Sequence, residues 1–213
     1  MERRDFMTQG LAVGATAMAM GHGAAKIVNA QDTQKEKAAG SGDKFKLNYA
    51  PHFGMFEKCA GKDPFDQLKF IADQGFTAFE DNGMMDRPVD FQEKFAAEMD
   101  RLGLMMGVFV ANAQWGQHTF VTNDPEKRKI LIDKMKKAVE TAKRVNAKWC
   151  TVVPDAYDPK LHWDYQTANV IENLRYCAEI CEPSGLVMVL EPLNFRDHPG
   201  LFLSRVSQGY QIC

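Results

Sequence analysis

The sequence predicts a parallel α/β protein of the (β/α)8 barrel class, represented here by about five βα units. Three observations predict it. From Phe45 onward, short apolar runs alternate strictly with longer segments of helical period, the pattern of strands joined by right-handed crossover helices. Leu104 to Val110 is apolar almost throughout, as a parallel strand covered on both faces requires. The turn after the first run, His52-Phe-Gly-Met-Phe-Glu57, lacks the glycine-rich phosphate loop that an open doubly wound sheet would place there.

The elements follow in order. Lys46–Ala50 is expected as the first strand. Asp63-Pro64 then supplies an N-cap with proline at the first helical position, and the helix buries Phe65, Leu68, Ile71 and Ala72 before Gly75 stops it. Thr77–Glu80 is the second strand, and Phe91, Phe95, Met99 and Leu102 set the face of the next helix, which ends at Gly103. After the third strand, 104–110, Asp124-Pro125-Glu126 repeats the cap signal. The long helix it opens is expected to bury Ile130, Leu131, Met135, Ala138, Val139 and Ala142. Lys148–Val153 is strand four. A helix through Val170, Leu174, Cys177, Ala178 and Cys181 then ends at Ser184-Gly185, and Leu186–Leu190 is strand five. Val206, Tyr210 and Cys213, at i, i+4 and i+7, predict a last helix. A closed barrel takes about 250 residues, so the expectation is that the chain stops before the barrel and its site are complete.

Residues 1–30 read as a twin-arginine export signal: Arg3-Arg4-Asp5-Phe6, the uncharged run Gly10–Met20, and small residues around Val28-Asn29-Ala30. The uncharged run is shorter than the roughly 18 residues of a spanning helix, so no stable membrane anchor is expected and the predicted location is the periplasm. Residues 31–44 are polar and lack hydrophobic period, a flexible linker. Residues 45–213 are the barrel domain. The net charge of −2 and the lack of a basic run exclude nucleic acid as a partner. Five scattered cysteines are expected as free, mostly buried thiols, with Cys177 and Cys181 packed in the core.

Function in a parallel barrel sits where strands end. That rule selects His52, Glu80-Asp81, Asn112, Gln114 to His118, Asp155 and Glu191. Glu191 stands out, because it leaves a buried apolar strand and a carboxylate there needs a cation, a proton or strong donors to offset its desolvation.

Glu191-Pro-Leu-Asn194, followed by Arg196, His198-Pro-Gly200 and Phe202-Leu203, resembles the hydroxypyruvate isomerase and ketose 3-epimerase branch of the xylose-isomerase-like barrel superfamily. Asn173-Leu-Arg-Tyr176 and Gly75-Phe-Thr-Ala-Phe-Glu80 extend the resemblance over residues 45–213. It implies a metal-dependent isomerase or epimerase of a small sugar or hydroxy-keto acid, working by proton transfer through an enediolate. It also implies a divalent ion (Mn²⁺, Mg²⁺ or Co²⁺), with Glu191 as both ligand and acid/base and the remaining ligands expected beyond residue 213. His52, Trp115, His118 and Arg196 are the candidate substrate-binding residues, with Trp115 and His118 expected to form one apolar wall. Glu80-Asp81 is read as a pocket rim and His162-Trp163 as structural. A homo-oligomer is compatible with the fold. Two other readings are weighed: the metal-dependent endonuclease branch, disfavoured by the acidic balance, and a catalytically inactive truncated barrel or binding module.

Overall fold

In a computed structural model, residues 43–213 are described; the expected signal, 1–30, and nearly all of the linker, 31–44, lie outside them. The chain runs α1 (Glu57–Ala60), α2 (Pro64–Asp73), β1 (Ala78–Phe79), α3 (Val89–Leu102), β2 (Met105–Met106), β3 (Val108–Asn112), α4 (Pro125–Val145), β4 (Trp149–Val152), α5 (Trp163–Cys181), β5 (Val187–Leu190) and α6 (Val206–Ile212).

The helices start where the caps predict. Asp63 Oδ1 accepts from the Phe65 and Asp66 amides at 2.8 and 3.1 Å, and Asp124 Oδ1 accepts from Glu126 N at 2.9 Å. Each aspartate satisfies donors that a helix start leaves free, and Pro64 and Pro125 have none to lose. Gly103 ends α3 in the left-handed conformation, where a side chain would be strained.

Every strand pairing is parallel. β1 lies beside β2, and β3, β4 and β5 follow one another; the β3–β4 register slips between Val110 and Asn112, while β4 and β5 pair without a break from Trp149 opposite Val187 to Val152 opposite Leu190. The predicted third strand is divided at Gly107 and runs on to Asn112. Gly107 N donates to Phe79 O at 2.7 Å, and a Cβ there would sit 3.2 Å from that same oxygen and 3.4 Å from Ala50 Cβ. Close approach of two backbones therefore explains the glycine.

Lys46–Ala50 is not a strand. Its neighbours are held at isolated points: Phe45 N to Gly75 O, Thr77 Oγ1 to Asn48 Oδ1, and Glu80 N to Pro51 O. Leu47 and Tyr49 stay exposed, so this segment gains too little burial to lock a ladder. The last helix forms as predicted but with a different face inward: Ile212 is buried while Val206 and Tyr210 face solvent. Ile130 of α4 is also exposed, whereas Leu131, Met135, Ala138, Val139 and Ala142 pack into the core.

That core lies between the strands and α2–α5, around the fully buried Phe79, Phe95, Phe109, Phe120 and Phe202. Burial of rings of this size, at ~25 cal/mol per Å² of apolar surface, is what fixes the helices on the sheet. Val187 N and Glu191 N donate to Lys148 O and Val152 O, so Met188 and Leu190 turn their backbone groups to the other side of β5. Among the described residues no strand pairs on that side.

Candidate active site

The strand ends bring several side chains to one face of the sheet. Glu80 follows β1, Asn112 closes β3, Asp155 lies three residues beyond β4, and Glu191 follows β5 directly.

Glu80 is half-buried. Burial pushes its carboxyl above the ordinary carboxylate value, His52 pulls it back, and the Glu191 carboxylate pushes it up again. Strands β1 and β5 and the segment before α1 thus bring the charges of Glu191 and His52 within range of Glu80. Sequence reasoning placed Glu80 with Asp81 on a rim, but the two side chains have different roles. Asp81 is buried, paired with Arg87 and bonded to Gly83 N at 3.1 Å, so it fixes the turn after β1. The Arg87 guanidinium also lies 4.8 Å from the Phe53 ring centroid. Glu80 is the one left to face Glu191. Its position, immediately after an apolar pair that ends a strand, was the available signal.

Of the predicted substrate-binding residues, His52 is exposed and its Nδ1 lies 2.7 Å from Phe53 O. A carbonyl only accepts, so Nδ1 carries a proton toward Phe53 O and Nε2 is the ring nitrogen left without a protein partner among the described residues. His118 is half-buried with Nδ1 3.2 Å from Ala156 O, a contact that holds its ring on the β4–α5 loop. The expected wall of Trp115 with His118 is not what forms: Trp115 stacks on His198, centroids 5.2 Å apart and planes 15° apart. Arg196 is exposed on the β5–α6 loop, where Asn194 Oδ1 accepts from the Arg196 and Asp197 amides, both at 3.0 Å. Glu191 is exposed beside β5.

The loops that carry these groups are tied together by residues 155–157. Asp155 Oδ1 accepts from Asn112 Nδ2 at 2.8 Å and Gln114 N at 2.9 Å. Ala156 N donates to Gln117 O, while Phe202 N donates to Asp155 O and Tyr157 N to Gly200 O. One short segment therefore holds the Trp115 loop on one side and the His198 loop on the other. Lys134 of α4 donates to Asn112 Oδ1 at 3.0 Å from below. Burial pushes the Asp155 carboxyl up, against the hydrogen bonds and the Lys134 charge that pull it down.

The conspicuous Asn173-Leu-Arg-Tyr176 run proves to be a brace. Asn173 is buried and donates to Phe120 O and Thr122 O, while Arg128 donates to Asn173 Oδ1 and lies over the Tyr176 ring. It orients the β3–α4 loop and touches no strand end.

Among the described residues, no three His, Cys, Asp or Glu side chains come together as a metal centre. A hard divalent ion takes about six oxygen ligands, so the described residues alone do not fit one. All five cysteines are free; Cys150, Cys177 and Cys181 are buried and Cys59 and Cys213 exposed. No helix among the described residues is long and apolar enough to cross a membrane.

Residues 68–213 match the model of the xylose isomerase-like TIM barrel family. The chain belongs to that family. A 2-oxo-tetronate isomerase from Cupriavidus necator is 41% identical over 46 residues, which are 22% of this chain and 18% of that protein. Three solved structures share the fold. An AP endonuclease, family 2, from Brucella melitensis has a TM-score of 0.60 at 20% identity, over 76% of this chain and 63% of its own. IOLI protein, described with a binding zinc atom, also scores 0.60, at 19% identity over 77% and 58% of the two chains. D-psicose 3-epimerase with D-tagatose, from Clostridium cellulolyticum H10, scores 0.59 at 14% identity over 78% and 60%. The chain thus spans about 60% of the length of these xylose isomerase-like barrels. They support the predicted fold class, a (β/α)8-type sheet that is not closed among the described residues.

Proposed function

We propose that the protein acts as an isomerase or epimerase of a small sugar or hydroxy-keto acid, moving a proton between adjacent carbons through an enediolate. The observation that carries this reading is that Glu80, at one strand end, feels the charge of Glu191 from another strand end and that of His52. Such a reaction needs a base on one side of the substrate and a proton store on the other. A carboxyl that burial and a like charge hold toward its protonated form serves as the store. In this reading Glu191, open to solvent on the β5–α6 loop, takes the proton from carbon. His52 Nε2 and Arg196 provide polar contacts for hydroxyl or carboxylate groups, and the Trp115–His198 stack offers a flat apolar surface to a sugar face.

The 46-residue likeness to a 2-oxo-tetronate isomerase supports the substrate class. Among the described residues, Glu191 is the one position that the family resemblance would assign as a ligand of a divalent ion. The proton movements belong to the side chains named. Residues 1–30 support export by the twin-arginine route to the periplasm.

The test is deuterium exchange at the carbon next to the carbonyl of hydroxypyruvate, followed by proton NMR. Exchange is expected with the unmodified protein supplied with Mn²⁺ and is lost in Glu191→Gln. Exchange at the same rate in both would remove Glu191 from the mechanism.

A further inference from the structure

Between the start of α5 and the β5–α6 connection lies a groove of about 470 Å³ that the proton-transfer residues do not line. That volume falls within the range of small-molecule sites. One wall is aromatic. Trp163 stacks one face of its indole on Phe202, centroids 4.9 Å apart and planes 25° apart, and Tyr157 leans on it from 6.0 Å. Phe202 is fully buried, so the indole is fixed by the core yet stays 44% exposed. Phe195, 50% exposed, extends this wall. A ring already immobilised by packing presents its free face to a ligand at little entropic cost.

The opposite wall is polar. Gln208 is committed to the fold, since its Nε2 donates to Phe202 O at 3.1 Å and holds the turn into α6. Ser204, Ser207 and Gln211 leave hydroxyl and amide groups facing the groove, and with them stands Arg205. Among the described residues Arg205 has no carboxylate within ion-pair distance, unlike Arg87 and Arg101, which are paired. A planar guanidinium with free donors selects a carboxylate or phosphate, which it can grip with two hydrogen bonds. An aromatic face opposite hydroxyl and amide groups suits a ring with one apolar face and a hydroxylated edge.

We propose that this groove is a second carbohydrate subsite, which takes a pyranose ring bearing an anionic group, the ring lying on Trp163 and the anion on Arg205. The choice of a carbohydrate rests on the isomerase or epimerase reading of the Glu80–Glu191 site. The groove shares the β5–α6 connection with that site, since Phe195 lies four residues after Glu191.

The chain has three tryptophans, so incorporation of 5-fluorotryptophan gives three ¹⁹F resonances, and Trp163→Phe identifies the relevant one. If that variant does not fold, Trp115→Phe and Trp149→Phe identify it by elimination. Methyl β-D-glucuronide, glucose 6-phosphate and methyl β-D-glucoside are titrated in turn. A saturable shift of the Trp163 resonance is expected with an anionic probe, and Arg205→Gln should weaken it about tenfold or more. The stronger of the two anionic probes tells carboxylate from phosphate. The idea is overturned by no saturable shift with either anion, by equal affinity for the neutral glucoside, or by an affinity unchanged in Arg205→Gln. Groove titration and proton exchange measured side by side on the unmodified protein separate the two readings: groove binding with no exchange sinks the enzymatic reading alone, and exchange without groove binding sinks this one.

Discussion

Asp155 accepts hydrogen bonds from Asn112 Nδ2 and Gln114 N on one carboxylate oxygen, while its other oxygen, fully buried, has no partner. Thr119 lies against the same carboxyl without closing a bond of ordinary geometry, and the residue itself adopts φ +48°, a left-handed conformation uncommon outside glycine and asparagine. These features follow from one demand: a single residue must turn the chain after β4 and also anchor the loop after β3.

Asp155→Ala is therefore expected to cost about 1–3 kcal/mol, because it strips the part-buried Gln114 amide of its acceptor and the buried Asn112 side-chain amide of one of its two. Asp155→Asn keeps the bonded oxygen and should cost much less. Because burial raises this carboxyl's pKa in the folded state, the native protein holds the proton more tightly than the unfolded chain. Stability from this group is full below the unfolded value and declines as pH rises toward the folded one. Urea unfolding across that acidic window should show the decline in the unmodified protein and a flatter profile in Asp155→Asn.

Glu80→Gln should leave the fold intact, since the Glu80 backbone bond to Pro51 O is untouched. Proton exchange on hydroxypyruvate should fall by about 10²-fold or more, the usual worth of a positioned acid or base. A rate within a factor of two of the unmodified protein would return Glu80 to the rim role that sequence reading gave it.

Gly107→Ala tests the junction of β1 with β2 and β3. The new methyl would meet Phe79 O at 3.2 Å and Glu80 Cβ at 3.3 Å, and backbone cannot swing aside as a flexible side chain can. A loss of about 1–3 kcal/mol is expected, read as a lower urea midpoint, typical of overpacking at a tight contact. An unchanged midpoint would show that the strands separate at no cost.

How much of this was legible in the sequence depended on whether a local rule set the structure. The helix starts at Asp63-Pro64 and Asp124-Pro125 were readable because one side chain and one ring define each cap. Strand β4 was readable because its apolar run is buried by helices, and β5 because its run is wholly apolar, although Val187 and Val189 stay exposed. Lys46–Ala50 mixes Lys46 and Asn48 into its apolar residues, Leu47 and Tyr49 stay exposed, and the structure gives it only scattered bonds. The nomination of Glu191 followed from the strand-end rule together with family resemblance. Its partner Glu80 was passed over because nothing local separates it from Asp81; only the turn geometry, which spends Asp81 on Arg87 and Gly83, does so. Trp115 was expected to form a wall with His118, but its stacking neighbour is His198, 83 positions away in sequence, and that contact emerges only when Asp155–Tyr157 draws both loops together.

The cysteines provide a test of the core that needs no substrate. Cys150 on β4 faces Cys177 and Cys181 on α5, and burial, with a smaller contribution from neighbouring charges, pushes these thiols up to about 12, about 12 and about 11 respectively. A thiol reacts as its thiolate, so these three are protected both by protonation and by lack of access. Cys59 and Cys213 are exposed and open to a reagent. Ellman's reagent at neutral pH should therefore titrate two of the five thiols quickly in the native protein and the other three only after unfolding. Five fast thiols under native conditions would mean that α5 does not stay packed on β4, and the strand ends carrying Asp155 and Glu191 would lose their common support with it.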